Sequence, residues 1–375
     1  MARTALRVLG LGHLGIRYGV ELRRVLYATT GVDGARTVAS GLVATPLGVQ
    51  PHAVVSYQHA TQGHRVNVPS APHKLEGILV SLVFAGAGYV LAAPDYHGLG
   101  SSPGTHPYLH APTEAASVAD LLGILPQVLD DEVPRQTVLL GFSQGGHASL
   151  AALQALGSRA DVDVVAAASV AGVHRLLESA GPHTLSGVSA HHTTYLAYLA
   201  ASFARAYDQP LASIVHERWA RRLPTMWDGS HGLMEIEHAL PRDPSLLLTR
   251  ETVEDLSGAG TGWFARRLAE NSVGDGPTKA PVRFFVGSQD LDTPQDDSRR
   301  TADLLRGHGG AAEVVDVGPV DHRGTAFAAV GLARQWFDDV VGASTARSPE
   351  PGRLRSLARA VHVLEPLTHP RPVGP

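Results

Sequence analysis

Twelve residues constrain this chain more than any others: Thr137-Val138-Leu139-Leu140-Gly141-Phe142-Ser143-Gln144-Gly145-Gly146-His147-Ala148. An apolar, partly β-branched run enters Gly141-x-Ser143-x-Gly145. Small residues then lead into helical spacing at Ala148, Leu150, Ala151, Leu153, Ala155 and Leu156. The pattern predicts a strand, a tight turn and a helix. A serine at the tip of such a turn is forced into a sparsely populated backbone conformation, and glycines two positions either side let strand and helix pack without Cβ clashes. Its hydroxyl then stands above the sheet. The amide of Gln144, at the helix start, points the same way and can hold a developing oxyanion.

The short motif alone decides little, because Gly100-Ser101-Ser102-Pro103-Gly104 matches it too. Ser102 follows a polar loop and precedes Pro103 and Pro107, so neither the strand before nor the helix after can form. Ser143 has both, and it is the candidate nucleophile.

Around this turn the chain alternates strand and helix patterns. Residues 24–29 and 37–43 read as two strands joined by an Asp33-Gly34 turn. Strands at 53–57, 89–94 and 162–168 alternate with helices at 74–85 and 112–129 and with the helix after Ser143. After about residue 280 the rhythm resumes with a strand at 281–287, a helix around 301–305, a strand at 312–317 and a closing helix from Thr325 to Val341. Such alternation specifies an α/β fold: a mainly parallel sheet with helices on both faces. Between 171 and 280 the strand rhythm stops. Tyr195, Leu196, Tyr198, Leu199, Phe203 and Tyr207 sit at helical spacing there, with Trp219, Trp227 and Met234 further on. The expected division is a core over 22–170, a helical insertion over 171–280, the rest of the core over 281–342, and a disordered or loosely attached tail over 343–375. Six of the last 33 residues are proline.

A serine hydroxyl needs a base within hydrogen-bond reach and an acid to orient that base. Asp290 follows the strand ending at Gly287, and His322 follows the last strand, so the chain order is serine, acid, histidine. Both loops leave the carboxyl ends of their strands, on the same edge as Ser143. Asp290 is preferred over Asp292, Asp296 and Asp297 because a side chain three residues past the glycine can turn back under the histidine. Asp321 reads as a loop acid. The second oxyanion donor is expected from the amide of Ala60 or Thr61, after the strand at 53–57, with His59 bracing that loop.

Other chemistries find little support. A net charge of -4 with 18% charged residues supplies no basic field for nucleic acid or anionic membranes. Zero cysteines remove thiolate metal sites and a cysteine nucleophile. His106 and His110 have i, i+4 spacing, but Pro107 rules out a regular helix, so no metal is expected. Gly10-Leu11-Gly12-His13-Leu14-Gly15 with Asp33 beyond it resembles a dinucleotide fingerprint, yet a hairpin follows where a βαβ unit is needed. The start of the chain lacks the unbroken apolar core of a signal peptide, and no apolar run approaches the ~20 residues of a spanning helix. A cytoplasmic location is the default expectation.

Taken together, the chain resembles the α/β-hydrolases of the secretory-lipase and bacterial-esterase group, the Candida lipase A type, over residues 22–340. The resemblance rests on Arg24-Val25-Leu26-Tyr27, Ser40-Gly41 before Pro46, Ser56-Tyr57-Gln58-His59-Ala60-Thr61, Pro94-Asp95-Tyr96-x-Gly98, His106-Pro107-Tyr108, the Ser143 motif, Asn271-Ser272 and Gly287-x-x-Asp290. Many relatives have His-Gly-Thr where this chain has His59-Ala60-Thr61. The resemblance implies a helical cap, carboxylic-ester hydrolysis through an acyl-enzyme and no cofactor. The implied substrate is a small-molecule or lipid ester, and members are often exported. Thioesterase, acyltransferase and peptidase share the same constellation, and a nucleotide-binding protein using Gly10–Gly15 is the alternative from another class.

Overall fold

The computed structural model describes residues 16–343 apart from residues 73, 131 and 158. The candidate fingerprint at Gly10–Gly15 and the tail beyond Ala343 lie outside the described residues. Eight strands form one sheet: β1 (Val20–Thr30), β2 (Arg36–Pro46), β3 (Val54–Gln58), β4 (Val90–Pro94), β5 (Gln136–Phe142), β6 (Asp163–Val170), β7 (Val282–Val286) and β8 (Ala312–Asp316). Their order is β1-β2-β4-β3-β5-β6-β7-β8. β1, β2 and β4 pair antiparallel, and every pairing from β4 through β3 to β8 is parallel. Asp33 lies in the β1–β2 turn, where its Oδ1 accepts from the amide of Ala35 at 3.0 Å. Antiparallel pairing of β1 with β2 and of β2 with β4 leaves no βαβ unit among the described residues before β3.

Residues on the central strands alternate between two buried faces, which is why these strands read as nearly continuous apolar runs. Leu91, Val138, Leu140 and Phe285 pack against the helices Leu75–Phe84 and His322–Val340. Val90, Leu139 and Phe284 pack on the other face, against Ala111–Gly123, Gln144–Leu156 and Gln295–Gly307. Each such side chain contributes about 1.5–3 kcal/mol by leaving water.

Two helix boundaries differ from the sequence expectation. The helix expected over 112–129 ends at Gly123, and a separate turn covers Leu125–Val128. Pro126 lacks the N–H needed to continue the ladder, and its ring crowds the preceding turn. The closing helix starts at His322, three residues earlier than expected, because Asp321 is its N-cap: its Oδ1 accepts from the amide of Gly324 at 2.7 Å.

Between β6 and β7 the described chain is helical, apart from one isolated bridge between Val215 and Leu248. This stretch has its own apolar centre, with Phe203, Trp219, Leu223, Trp227 and Phe264 buried in it, whereas Met234 is exposed. Tyr198 stacks between Tyr108 and Trp227, with ring centroids 4.4 and 3.7 Å away. No helix among the described residues is long and apolar enough to cross a membrane.

Candidate active site

Ser143 joins β5 to the helix Gln144–Leu156 with φ 56° and ψ -118°, a conformation that L-residues rarely adopt. Its amide donates to Val170 O at 2.9 Å, and its carbonyl accepts from Gly146 N at 2.8 Å, so the turn is held on both sides. The flanking glycines are required by space. A Cβ on Gly141 would lie 1.8 Å from Gly145 O, and one on Gly145 would lie 2.0 Å from Gln58 O. With the serine pushed out of the ladder, its hydroxyl faces the loops that follow β7 and β8.

Those loops bring Asp290 and His322 to it. His322 Nε2 lies 2.9 Å from Ser143 Oγ, and His322 Nδ1 lies 2.8 Å from Asp290 Oδ2. Asp290 also accepts from the amides of Asp292 and Thr293 and from the Thr293 hydroxyl, at 2.9, 3.1 and 2.9 Å. The two loops are tied to each other by Ser288 N to Gly318 O and Gln289 N to Val320 O, at 2.9 and 3.2 Å. Ser143 is 7% exposed, and the side chains of His322 and Asp290 are 12% and 2% exposed, so the histidine keeps a narrow opening to solvent while its partner has almost none.

Burial by itself favours a neutral imidazole, but the hydrogen bond to Asp290 and the charge of Asp290 outweigh it, and the pKa of His322 is raised. For Asp290 burial opposes ionisation, while the bond to His322 and the donors from Thr293 outweigh it, so its pKa is lowered. Nδ1 therefore faces the carboxylate, and Nε2 faces the Ser143 hydroxyl.

The other acids have different partners. Asp292 accepts from Ser189 Oγ and, at 3.3 Å, from Tyr195 OH. Asp296 pairs with Arg299 at the surface. Asp297 belongs to a second Ser-His-Asp array: its Oδ2 is 2.8 Å from His174 Nδ1, and His174 Nε2 is 2.8 Å from Ser169 Oγ. Ser169, His174 and Asp297 are 1%, 0% and 0% exposed, so no substrate can reach that serine. The carboxylate of Asp297 also accepts from the amides of His174 and Arg175, fixing the chain just after β6. Ser102, in the second motif match, is buried in a loop with His97 Nδ1 3.3 Å from its hydroxyl.

After β3 and at the start of the elbow helix, the amides of Ala60, Thr61 and Gln144 donate to no backbone acceptor among the described residues. His59 is buried with its ring nitrogens near the carbonyls of Ala60 and Asp95, and it packs at a tilt against Tyr96 with centroids 4.3 Å apart. The ring sits between these two carbonyls and braces the loop.

Sequence reasoning missed a buried polar network around the elbow. Gln144 Nε2 donates to Glu114 Oε1 and to His106 Nε2, both at 2.7 Å. Glu114 Oε2 is 2.6 Å from His147 Nδ1, and His147 Nε2 donates to Asn271 O at 2.7 Å. His106 donates from Nδ1 to His97 O at 2.8 Å, and burial lowers its pKa to about 3, so it is a neutral acceptor for Gln144. His147 follows the serine motif directly, which is the one signal that something polar had to meet it. A cavity of about 250 Å³ lies beside His106, lined by Thr105, Ser202, Arg205, Leu211 and Trp227 among others, and Ser143 is not part of its wall. Among the described residues no cluster of His, Cys, Asp and Glu has the geometry to hold a metal ion.

Comparison with solved structures finds the same architecture elsewhere. A candidate hydrolase from Legionella pneumophila is 25% identical, with a TM-score of 0.80 over 99% of this chain and 97% of that one. The rice cell wall degrading esterase LipA from Xanthomonas oryzae is 21% identical, with a TM-score of 0.76 over 91% and 93%. Candida antarctica lipase A is 14% identical, with a TM-score of 0.69 over 92% and 86%. No protein-family profile matches the chain, and neither does any curated protein sequence. The chain has an α/β-hydrolase fold like that of lipases and esterases.

Proposed function

We propose that this chain, an α/β-hydrolase by fold, is a serine hydrolase that cleaves carboxylic esters through an acyl-enzyme. The observation that carries the reading is the line of contacts from Ser143 Oγ through His322 to Asp290, at 2.9 and 2.8 Å. Ser143 Oγ attacks the ester carbonyl while its proton passes to His322 Nε2, and Asp290 stabilises the imidazolium. The amides of Gln144 and of Ala60 or Thr61 hold the tetrahedral oxyanion. Collapse expels the alcohol, which takes the proton back from His322. Water then attacks the acyl carbonyl as it loses a proton to the same nitrogen, the bond from Ser143 Oγ to the acyl carbon breaks, and His322 returns the proton to Ser143 Oγ as the acid leaves.

Residues 171–280 cover the elbow in this reading and shape the acyl and alcohol pockets, while 22–170 and 281–342 form the core. The bond from Tyr198 OH to Gln62 O, 3.1 Å, supports that seating, since Gln62 adjoins the oxyanion loop. The esterase and the lipase among the structural neighbours support an ester as substrate. No cofactor and no nucleic acid enter the mechanism.

A p-nitrophenyl ester series from acetate to palmitate tests the assignment. At least one member is expected to turn over, and Ser143→Ala is expected to abolish that turnover. Inertness toward all of them, with turnover of the matching thioesters, would make the chain a thioesterase.

A further inference from the structure

Three consecutive residues of the acid loop have three separate attachments. Asp290 faces His322. The carbonyl of Leu291 accepts from His183 Nε2 and His192 Nε2, each at 3.0 Å. The carboxylate of Asp292 accepts from Ser189 Oγ and Tyr195 OH. All four of these donors come from the helical stretch between β6 and β7, within residues 183–195. On its inner side the same loop is tied to the loop after β8 by the amides of Ser288 and Gln289, and Gln295 Nε2 closes it on itself at Gly287 O, 2.8 Å away. Asp292 N, in turn, donates to Asp290 Oδ1. The loop that carries the acid is thus clamped between two bodies.

We infer that Ser189 and Tyr195 are positioning residues for Asp290, so that seating of the helical stretch and assembly of the Ser143-His322-Asp290 line are one coupled event. The inference rests on the serine-hydrolase reading. Its physical basis is leverage. Asp292 N and Asp292 Oδ belong to one residue, so a shift of the carboxylate away from Ser189 and Tyr195 pulls the amide away from Asp290. A displacement of about 1 Å in a positioned group is enough to lower a rate on the order of 100-fold. His183 and His192 hold the neighbouring carbonyl, their rings 4.8 Å apart, and burial lowers the pKa of His192, which keeps it a neutral donor.

The test must not change the charge at His322, which feels Asp290 and Asp292 on one side and Arg323 on the other. Tyr195→Phe and Ser189→Ala each delete one hydroxyl and leave those charges in place. The readout is the rate of covalent labelling by a fluorophosphonate as a function of pH, which reports triad activation whatever the natural substrate is. The double variant is expected to label roughly ten-fold or more slowly, with its acid-limb midpoint moved to lower pH because Asp290 supports His322 less well. Ser189→Thr, which keeps the hydroxyl, is expected to label near the wild-type rate. An unchanged rate and midpoint in the folded double variant overturn the inference, as does a slower rate that merely follows the folded fraction. Should the double variant not fold, Tyr195→Phe alone is read by the same criteria. Wild-type protein that never labels would overturn the serine-hydrolase reading, an outcome distinct from labelling that ignores both hydroxyls.

Discussion

The backbone amide of Asp292 donates to Oδ1 of Asp290 at 2.9 Å, and the two carboxylates face different halves of the molecule. Asp290 turns inward to His322, while Asp292 turns outward to Ser189 and Tyr195. Two like charges so close in sequence are tolerated because each has its own donors. One loop therefore carries both the carboxylate that faces His322 and the one that anchors the helical stretch.

Exchange of each acid for its amide separates those jobs. Asp290→Asn is expected to lower kcat by about four orders of magnitude, since the amide no longer holds His322 in the right tautomer. Asp292→Asn is expected to lose far less, on the order of ten-fold, through the loop's position. Equal losses in kcat on the same ester would mean that the two residues share a role.

The pH profile follows from His322. Its pKa is raised above 6.5: burial pulls it down, and the bond to and charge of Asp290 outweigh that pull. Only the neutral ring can accept the serine proton, so kcat/KM is expected to be low in acid and to rise with pH through a midpoint above 6.5. Asp290→Asn removes the two larger raising influences, leaving only the charge of Asp292, and moves the midpoint down. A wild-type midpoint below that of the variant would contradict this sign.

The buried second array is expected to affect stability and leave reactivity alone. Asp297 titrates below its usual 3.8: burial opposes its charge, and the donors from His174 and Arg175 outweigh burial. A depressed folded-state pKa contributes stability that is present above the unfolded pKa and is lost as pH falls through the folded value. Asp297→Asn is accordingly expected to cost about 2–4 kcal/mol at pH 7, with the gap to wild type closing in acid below 3.8. Chemical denaturation at both pH values measures it. Ser169→Ala should leave fluorophosphonate labelling unchanged.

The network behind the elbow distinguishes an isosteric change from a truncation. Glu114→Gln can still accept from Gln144 and can donate to His147 Nδ1, so a loss of about 1 kcal/mol or less is expected. Glu114→Ala leaves one hydrogen of the Gln144 amide and the Nδ1 of His147 without a partner, at about 1–3 kcal/mol each. Thermal midpoints of the two variants, read against wild type, check the difference; an alanine variant as stable as the glutamine variant would contradict it.

Much of this was legible because the informative features are local. The serine turn shows itself in twelve consecutive residues, and the acid and histidine are found by counting from the ends of strands that the apolar runs mark out. Ser143, Asp290 and His322 do meet. What the sequence hid depends on contacts between distant segments. Glu114 and His147 are 33 positions apart, Ser189 and Asp292 are 103 apart, and His174 and Asp297 are 123 apart, each joining one side chain among many of its kind. With 20 histidines in the chain, nothing local separates His174 from the surface ones, and His147 is marked only by its place behind the serine motif. The break at Gly123 and Pro126 and the capping by Asp321 have local signals as well, but the apolar spacing around them masks both.

Peptide mapping by mass spectrometry after fluorophosphonate treatment tests the central claim most directly. A single phosphonyl adduct on the peptide containing Ser143 is predicted, absent from Ser143→Ala and strongly reduced in His322→Ala. An unmodified chain, or an adduct on Ser102 that survives Ser143→Ala, would contradict the account.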